Sequence, residues 1–138
     1  MFFNKKEKKN TETDLVKIGA LLIHTAKIDE NYSIEEENII KKTLLSLGAD
    51  KKDLDAIIKN AKKYDEDSNQ ILDFTREIKN LEEINKIKII KSLWKIIYSN
   101  NEADIYETNL MRRLAGLLYI DSKIMGDIKE EIKKENLK

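Results

Sequence analysis

Two stretches of this chain carry one plan at a constant offset, and that duplication restricts the fold more than any other feature. Residues Leu22 to Leu47 and Leu93 to Leu118 each begin as an apolar helical segment that ends at a short acid or amide, Asp29 in one and Asn100 in the other. A polar turn follows, then a capping residue (Ser33, Asp104), an isoleucine (Ile34, Ile105) and a glutamate (Glu36, Glu107). A second apolar helical segment closes each copy. Apolar residues recurring every three to four positions on both sides of each turn specify helices rather than strands. The chain has no proline and only four glycines, so little in it forces kinks or β-turns. The expected class is all-α, a compact bundle of about seven helices containing two pseudo-repeated helix–acidic turn–helix units.

The charge pattern narrows the functions open to such a bundle. Charged residues make up 38% of the chain, yet 26 basic and 26 acidic side chains cancel. Dense, balanced charge suits helices with one solvated face and argues against nucleic acid, which needs a basic excess to neutralise phosphates. Only Arg76, Arg112 and Arg113 are arginines, which removes most of the bidentate readers of phosphate and base edges. The absence of cysteine excludes disulfides, thiolate metal sites and cysteine nucleophiles. No apolar run reaches the roughly 18 residues of a membrane span. The N-terminus places Phe2-Phe3 before its lysines, the reverse of a signal peptide, so a cytoplasmic protein is expected. Residues 1–12 read as a frayed, solvated tail that also suits peripheral contact with an anionic membrane, and 13–134 as a single helical domain.

Along the chain, Thr11 or Thr13 is placed to cap a first helix running to about Ile28. Ser33 with Glu36 forms a capping box for the second, which stops at Gly48. Asp50 and Asp53 open a third helix with Leu54, Ile57, Ile58 and Ala61 on its stripe, and the charged stretch Lys62 to Asn69 reads as the central connection. A short helix bears Ile71, Phe74 and Ile78. Asn80 and Glu83 then box the start of a long apolar helix with Ile84, Ile87, Ile90, Trp94 and Ile97 on its buried side. Asp104 with Glu107 opens the sixth helix and Asp121 the last.

The paired turns are the obvious place to seek chemistry. Asp29, Asn31, Ser33 and Glu36 in one, and Asn100, Glu102, Asp104 and Glu107 in the other, offer oxygens of the kind hard divalent cations take. An EF-hand is excluded, because its glycine position holds Ile34 or Ile105 and its closing glutamate position holds Ile40 or Met111. The same residues also have a purely structural use. Each cap residue contributes about 0.5–2 kcal/mol, and Asp29 and Asn100 can hold their turns through backbone amides two residues on. The candidate metal ligands are therefore Asp29, Glu36, Asn100, Asp104 and Glu107, with capping as their leading role.

Other residues carry less. His24 is the only histidine and reads as a half-buried core edge. Trp94 and Tyr98 lie one turn apart and seed an aromatic core cluster that Phe74, Tyr106 and Tyr119 are placed to join. One of Arg112 and Arg113 is expected to pair with a turn carboxylate. The run Asp65 to Asp67 reads as solvated. No phosphate loop, nucleophile elbow or metal-binding histidine pair is present, so no catalytic residue is assigned.

The arrangement Ala20-Leu21-Leu22, Asp29, Glu36, Asp73-Phe74-Thr75-Arg76, Leu93-Trp94-Lys95-Ile96-Ile97-Tyr98, Glu107 and Leu110-Met111-Arg112-Arg113-Leu114-Ala115-Gly116-Leu117-Leu118 resembles the tellurite-resistance TerB-like family. The resemblance runs from about Asp14 to Ile132 and is most specific from Leu93 onward. It implies the all-helical fold also used as the N-terminal domain of a membrane-anchored DnaJ-like co-chaperone. It further implies a non-enzymatic role in tellurite or other stress responses, with a protein partner, and assemblies at the inner membrane face. Family turns usually read Ala-Asp-Gly before the glutamate. Here Ile28 and Glu30 flank Asp29, and Ser99-Asn100-Asn101 replaces the second triplet. A divalent cation is the cofactor the resemblance suggests, and losing the second aspartate to Asn100 implies weak binding or none.

Overall fold

The computed structural model describes residues 11–28, 33–67, 72–100 and 105–136. Among them are seven α-helices and no strand: α1 (Glu12–Ala26), α2 (Ile34–Ser46), α3 (Leu54–Asp67), α4 (Leu72–Ile78), α5 (Glu83–Ile97), α6 (Ile105–Leu117) and α7 (Ser122–Asn136). Single 3₁₀ turns at Lys51–Asp53 and Tyr98–Asn100 lead into α3 and out of α5. The all-α expectation and the number of helices hold.

Two helices form the centre. α1 carries Leu15, Ile18, Leu21, Leu22 and Ala26 into the core and packs on α2, α3, α4 and α5. α5 buries Ile89, Ile90, Leu93, Trp94, Ile96 and Ile97 against α1, α2 and α7. Each fully buried Leu or Ile contributes about 1.5–3 kcal/mol, so these two stripes dominate the cohesion of the bundle. α1 approaches α3 closely because Gly19 faces Ala61: a Cβ at position 19 would lie 3.1 Å from that of Ala61. Between α2 and α5, the buried hydroxyls of Thr43 and Ser92 bond to each other.

Capping explains where several helices begin and end. Thr11, not Thr13, caps α1, accepting from the Asp14 amide at 3.1 Å while its own amide donates to Asp14 Oδ2. Gly48 takes φ +114° and the Ala49 amide reaches back to the Leu44 carbonyl, closing α2. Other expected caps fail. α5 starts after Glu82 with no side-chain cap, so Asn80 and Glu83 form no box, and Ile84 in the first turn is exposed. Asp50 likewise makes no side-chain cap and precedes a 3₁₀ turn.

The largest correction concerns the charged stretch after Ala61. It continues α3 to Asp67 instead of forming a connection, because Asp65 extends the stripe of Leu54, Ile57, Ile58 and Ala61 inward. Asp65 is only 7% exposed. Its carboxylate takes Lys27 Nζ at 3.0 Å on Oδ2 and lies 3.2 Å from His24 Nδ1 on Oδ1. A buried charge survives when it is paired and hydrogen-bonded, and both partners come from the end of α1. The half-buried His24 ring also rests on Phe74, centroids 5.4 Å apart.

Candidate functional site

Glu36 follows from local sequence chemistry. At the third position of α2 its side chain turns back over the helix start, where free amides need acceptors. Its Oε1 accepts from the Ser33 amide at 2.8 Å and from Ser33 Oγ at 3.3 Å, and Ser33 Oγ in turn accepts from the Glu36 amide. The expected capping box is therefore present. The sequence does not reveal what the other oxygen does. Oε2 accepts from Ser99 Oγ at 3.3 Å, across to the turn that ends α5. The single Ser99 hydroxyl proton is shared with the Ile96 carbonyl at 2.7 Å, the shorter branch, which anchors Ser99 to α5.

The start of α2 and the 3₁₀ turn that ends α5 are thus joined through one carboxylate. Glu36 and Glu107, in equivalent positions of the two units, are each 4% exposed. Tyr98, stacked on Trp94 at 5.8 Å, sits close to the second glutamate. Burial first, then the negative charges of Glu130 and Glu107, push its phenol above the ordinary value near 10. Trp94 Nε1 is buried with no hydrogen-bond partner among the described residues.

Of the five candidate ligands, Glu36 and Glu107 have described side chains. Asp29 and Asp104 lie outside the described residues, and Asn100 is described only in its backbone, as the end of the Tyr98–Asn100 turn. Both Glu36 oxygens already accept hydrogen bonds. Among the described residues no group of three or more His, Asp or Glu side chains is arranged to hold a metal ion. Among the described residues Glu36 ties the start of α2 to the 3₁₀ turn that ends α5.

Arg112 and Arg113 are both exposed, and neither forms an ion pair among the described residues, because α6 turns them outward on the face opposite Met111 and Leu114. Phe74 joins His24 and Tyr64 instead of Trp94, while Tyr106 and Tyr119 lie on the surface. The His24–Lys27–Asp65 cluster went unread in the sequence. Its only signal was helical register, four residues beyond Ala61.

Among the described residues the geometry is that of an all-helical bundle of seven α-helices. The family model for the tellurite resistance protein TerB matches residues 15–130, and the chain belongs to that family. No curated protein and no solved structure matches it. Among the described residues, no helix is long and apolar enough to cross a membrane.

Proposed function

We propose that this TerB-family chain is a non-enzymatic interaction module of the cytoplasm, acting in tellurite or other stress responses by presenting the joined turns to a protein partner at the inner membrane face. The observation that carries this reading is the exposure of two large apolar side chains beside the joint. Ile34, at the first position of α2, is 81% exposed, and Tyr106, in the first turn of α6, is 74% exposed. Ile34 stands inside the Ser33–Glu36 box and Tyr106 next to buried Glu107, so each lies beside one of the two paired glutamates. Apolar and aromatic side chains grouped on a rigid polar surface are the usual anchors of a protein interface. Glu36 then serves as the clamp that fixes the relative position of the two turns.

Photo-crosslinking tests this directly. A photoreactive residue at position 34 or 106 should give a discrete protein adduct in the native cytoplasm, and one at exposed Lys59 should not. Absence of an adduct at 34 and 106, or the same adducts at all three positions, refutes the assignment.

A second reading, a divalent-cation binder, draws on the burial of Glu36 and Glu107 on adjacent turns. It needs Asp29, Asn100 or Asp104 to supply oxygens that Glu36 does not have to spare. Titration with calcium, magnesium, zinc and manganese separates the two readings.

A further inference from the structure

The other end of α6 carries a site of different character. A surface pocket of about 180 Å³ is lined by Thr75, Arg76 and Lys79 from the end of α4, and by Gly116, Leu117 and Tyr119 from the end of α6. Tyr119 has φ 59°, the one positive value outside glycine among the described residues. A bulky residue in this left-handed region is strained, and glycine or asparagine ordinarily stands there. The strain holds a 71% exposed phenol ring beneath two ammonium groups, Lys79 Nζ at 5.9 Å and Lys86 Nζ at 5.8 Å from its centroid. Lys86 is itself buried and donates to the Leu118 carbonyl at 2.9 Å.

The charge around this pocket is not cancelled. Among the described residues no carboxylate lines it and none of Arg76, Lys79 and Lys86 forms an ion pair. The C-termini of α4 and α6 each supply only about half a negative charge, against three full positive ones. The contrast with the larger depression between α2 and α3, about 580 Å³, is plain. There Glu37, Asp55 and Glu66 offset three of the four lysine charges, and Lys41 and Lys62 pair with Glu37. In a chain of zero net charge, Arg76 and Lys79 in the pocket lining, with Lys86 behind them over the same strained ring, form a localised anion trap.

We propose that this pocket binds a small tetrahedral oxyanion of the phosphate class, either free or as a phosphomonoester head group. Arg76 supplies the planar fork suited to two oxygens, Lys79 a point charge, and Thr75 a hydroxyl at the pocket wall. Tyr119 keeps the ammonium groups of Lys79 and Lys86 poised over its ring, where attraction to the π face holds them without neutralising them. The volume sets the size limit: sites that enclose larger ligands run from about 300 Å³ upward, whereas this one holds an anion with a few waters. The proposal does not depend on the protein-partner reading, since it concerns other residues and another ligand.

The test is a titration of the full chain with inorganic phosphate, followed by backbone amide NMR. Saturable shifts confined to residues 75–79 and 116–119 are expected, with affinity reduced on the order of tenfold or more in the double variant R76Q/K79Q. No saturable shift at millimolar phosphate, or unchanged affinity in that variant, overturns the proposal. Tyr119→Gly provides a check that does not depend on damage to the fold. Relief of the strained backbone should raise the melting temperature while phosphate affinity falls; a higher melting temperature with undiminished affinity overturns the role given to the ring. Phosphatidylcholine vesicles with and without phosphatidic acid identify the source. Sedimentation that needs phosphatidic acid and is competed by phosphate assigns a lipid phosphomonoester. Phosphate binding without sedimentation assigns the free anion.

Discussion

Replacing Glu36 with alanine separates the clamp from the cation ligand, because the two roles predict opposite signs. As a clamp, Glu36 accepts from the Ser33 amide at 2.8 Å and from Ser99 Oγ at 3.3 Å, in a site 4% exposed. Hydrogen bonds to a charged group contribute about 1.5–3 kcal/mol when short, and the long Ser99 contact falls at or below the bottom of that range. Ser33 Oγ can still cap the amide of residue 36 after the substitution, which keeps half of the box. The net loss is then about 2 kcal/mol, a fall of roughly 6–10 °C in melting temperature for a domain of this size. Glu36→Gln retains the reach and an acceptor for the Ser33 amide, so it should lose about half as much. As a cation ligand in a cluster of carboxylates, Glu36 would instead repel its neighbours in the metal-free protein, and both variants would be more stable than the parent. Thermal melts in chelator at low ionic strength read the sign. Variants that match or exceed the parent refute the clamp.

Other consequences follow from packing and charge. Gly19→Ala should destabilise the bundle by about 1 kcal/mol even though alanine favours helix, since the Ala61 Cβ at 3.1 Å is fixed to its backbone and α3 must move. Gly126→Ala, mid-helix in α7 with nothing within 4 Å, should stabilise by about 0.5–1 kcal/mol, and urea titration of both variants checks the contrast. Asp65→Asn should lose about 1–2 kcal/mol, less than a fully buried pair because Lys27 and His24 remain half-exposed, while exposed Asp67→Asn stays within about 0.5 kcal/mol. Equal effects at the two positions would show that Asp65 is as solvated as its neighbours. Ultraviolet titration should find Tyr98 ionising above the ordinary phenol value near 10. The folded state then binds more protons than the unfolded state once pH exceeds about 10. Stability is therefore unaffected below that value and falls as pH rises toward the raised folded pKa.

Much of this fold was legible because local and tertiary signals agree. The stripes of α1 and α5, the Ser33–Glu36 box and the Gly48 stop are each specified by residues within one turn of one another. The failures share a cause: a charged residue in a role its type does not announce. Asp65 looked solvated because two of its neighbours are, and only partners from the end of α1 make its burial tolerable. Asn80 and Glu83 have the spacing of a box, yet α5 starts two residues later than that box requires. At the candidate site, the sequence supplied Glu36 and its cap. It could not supply Ser99, whose bond to Glu36 spans 63 positions and exists only once α2 and α5 have packed. The strained Tyr119 was equally hidden, since nothing in Leu118-Tyr119-Ile120 marks a left-handed backbone.

The central claim is that the paired turns are a structural joint that positions a binding surface. Calorimetric titration of the intact protein with calcium, magnesium, zinc and manganese tests it most directly, with melting temperature followed in parallel. An ion bound at a hundred times its dissociation constant would add about 2.7 kcal/mol and move the melt by several degrees. The joint predicts no saturable heat and no shift at millimolar ion. A saturable heat with a matching rise in melting temperature, both lost in Glu36→Gln, would contradict it.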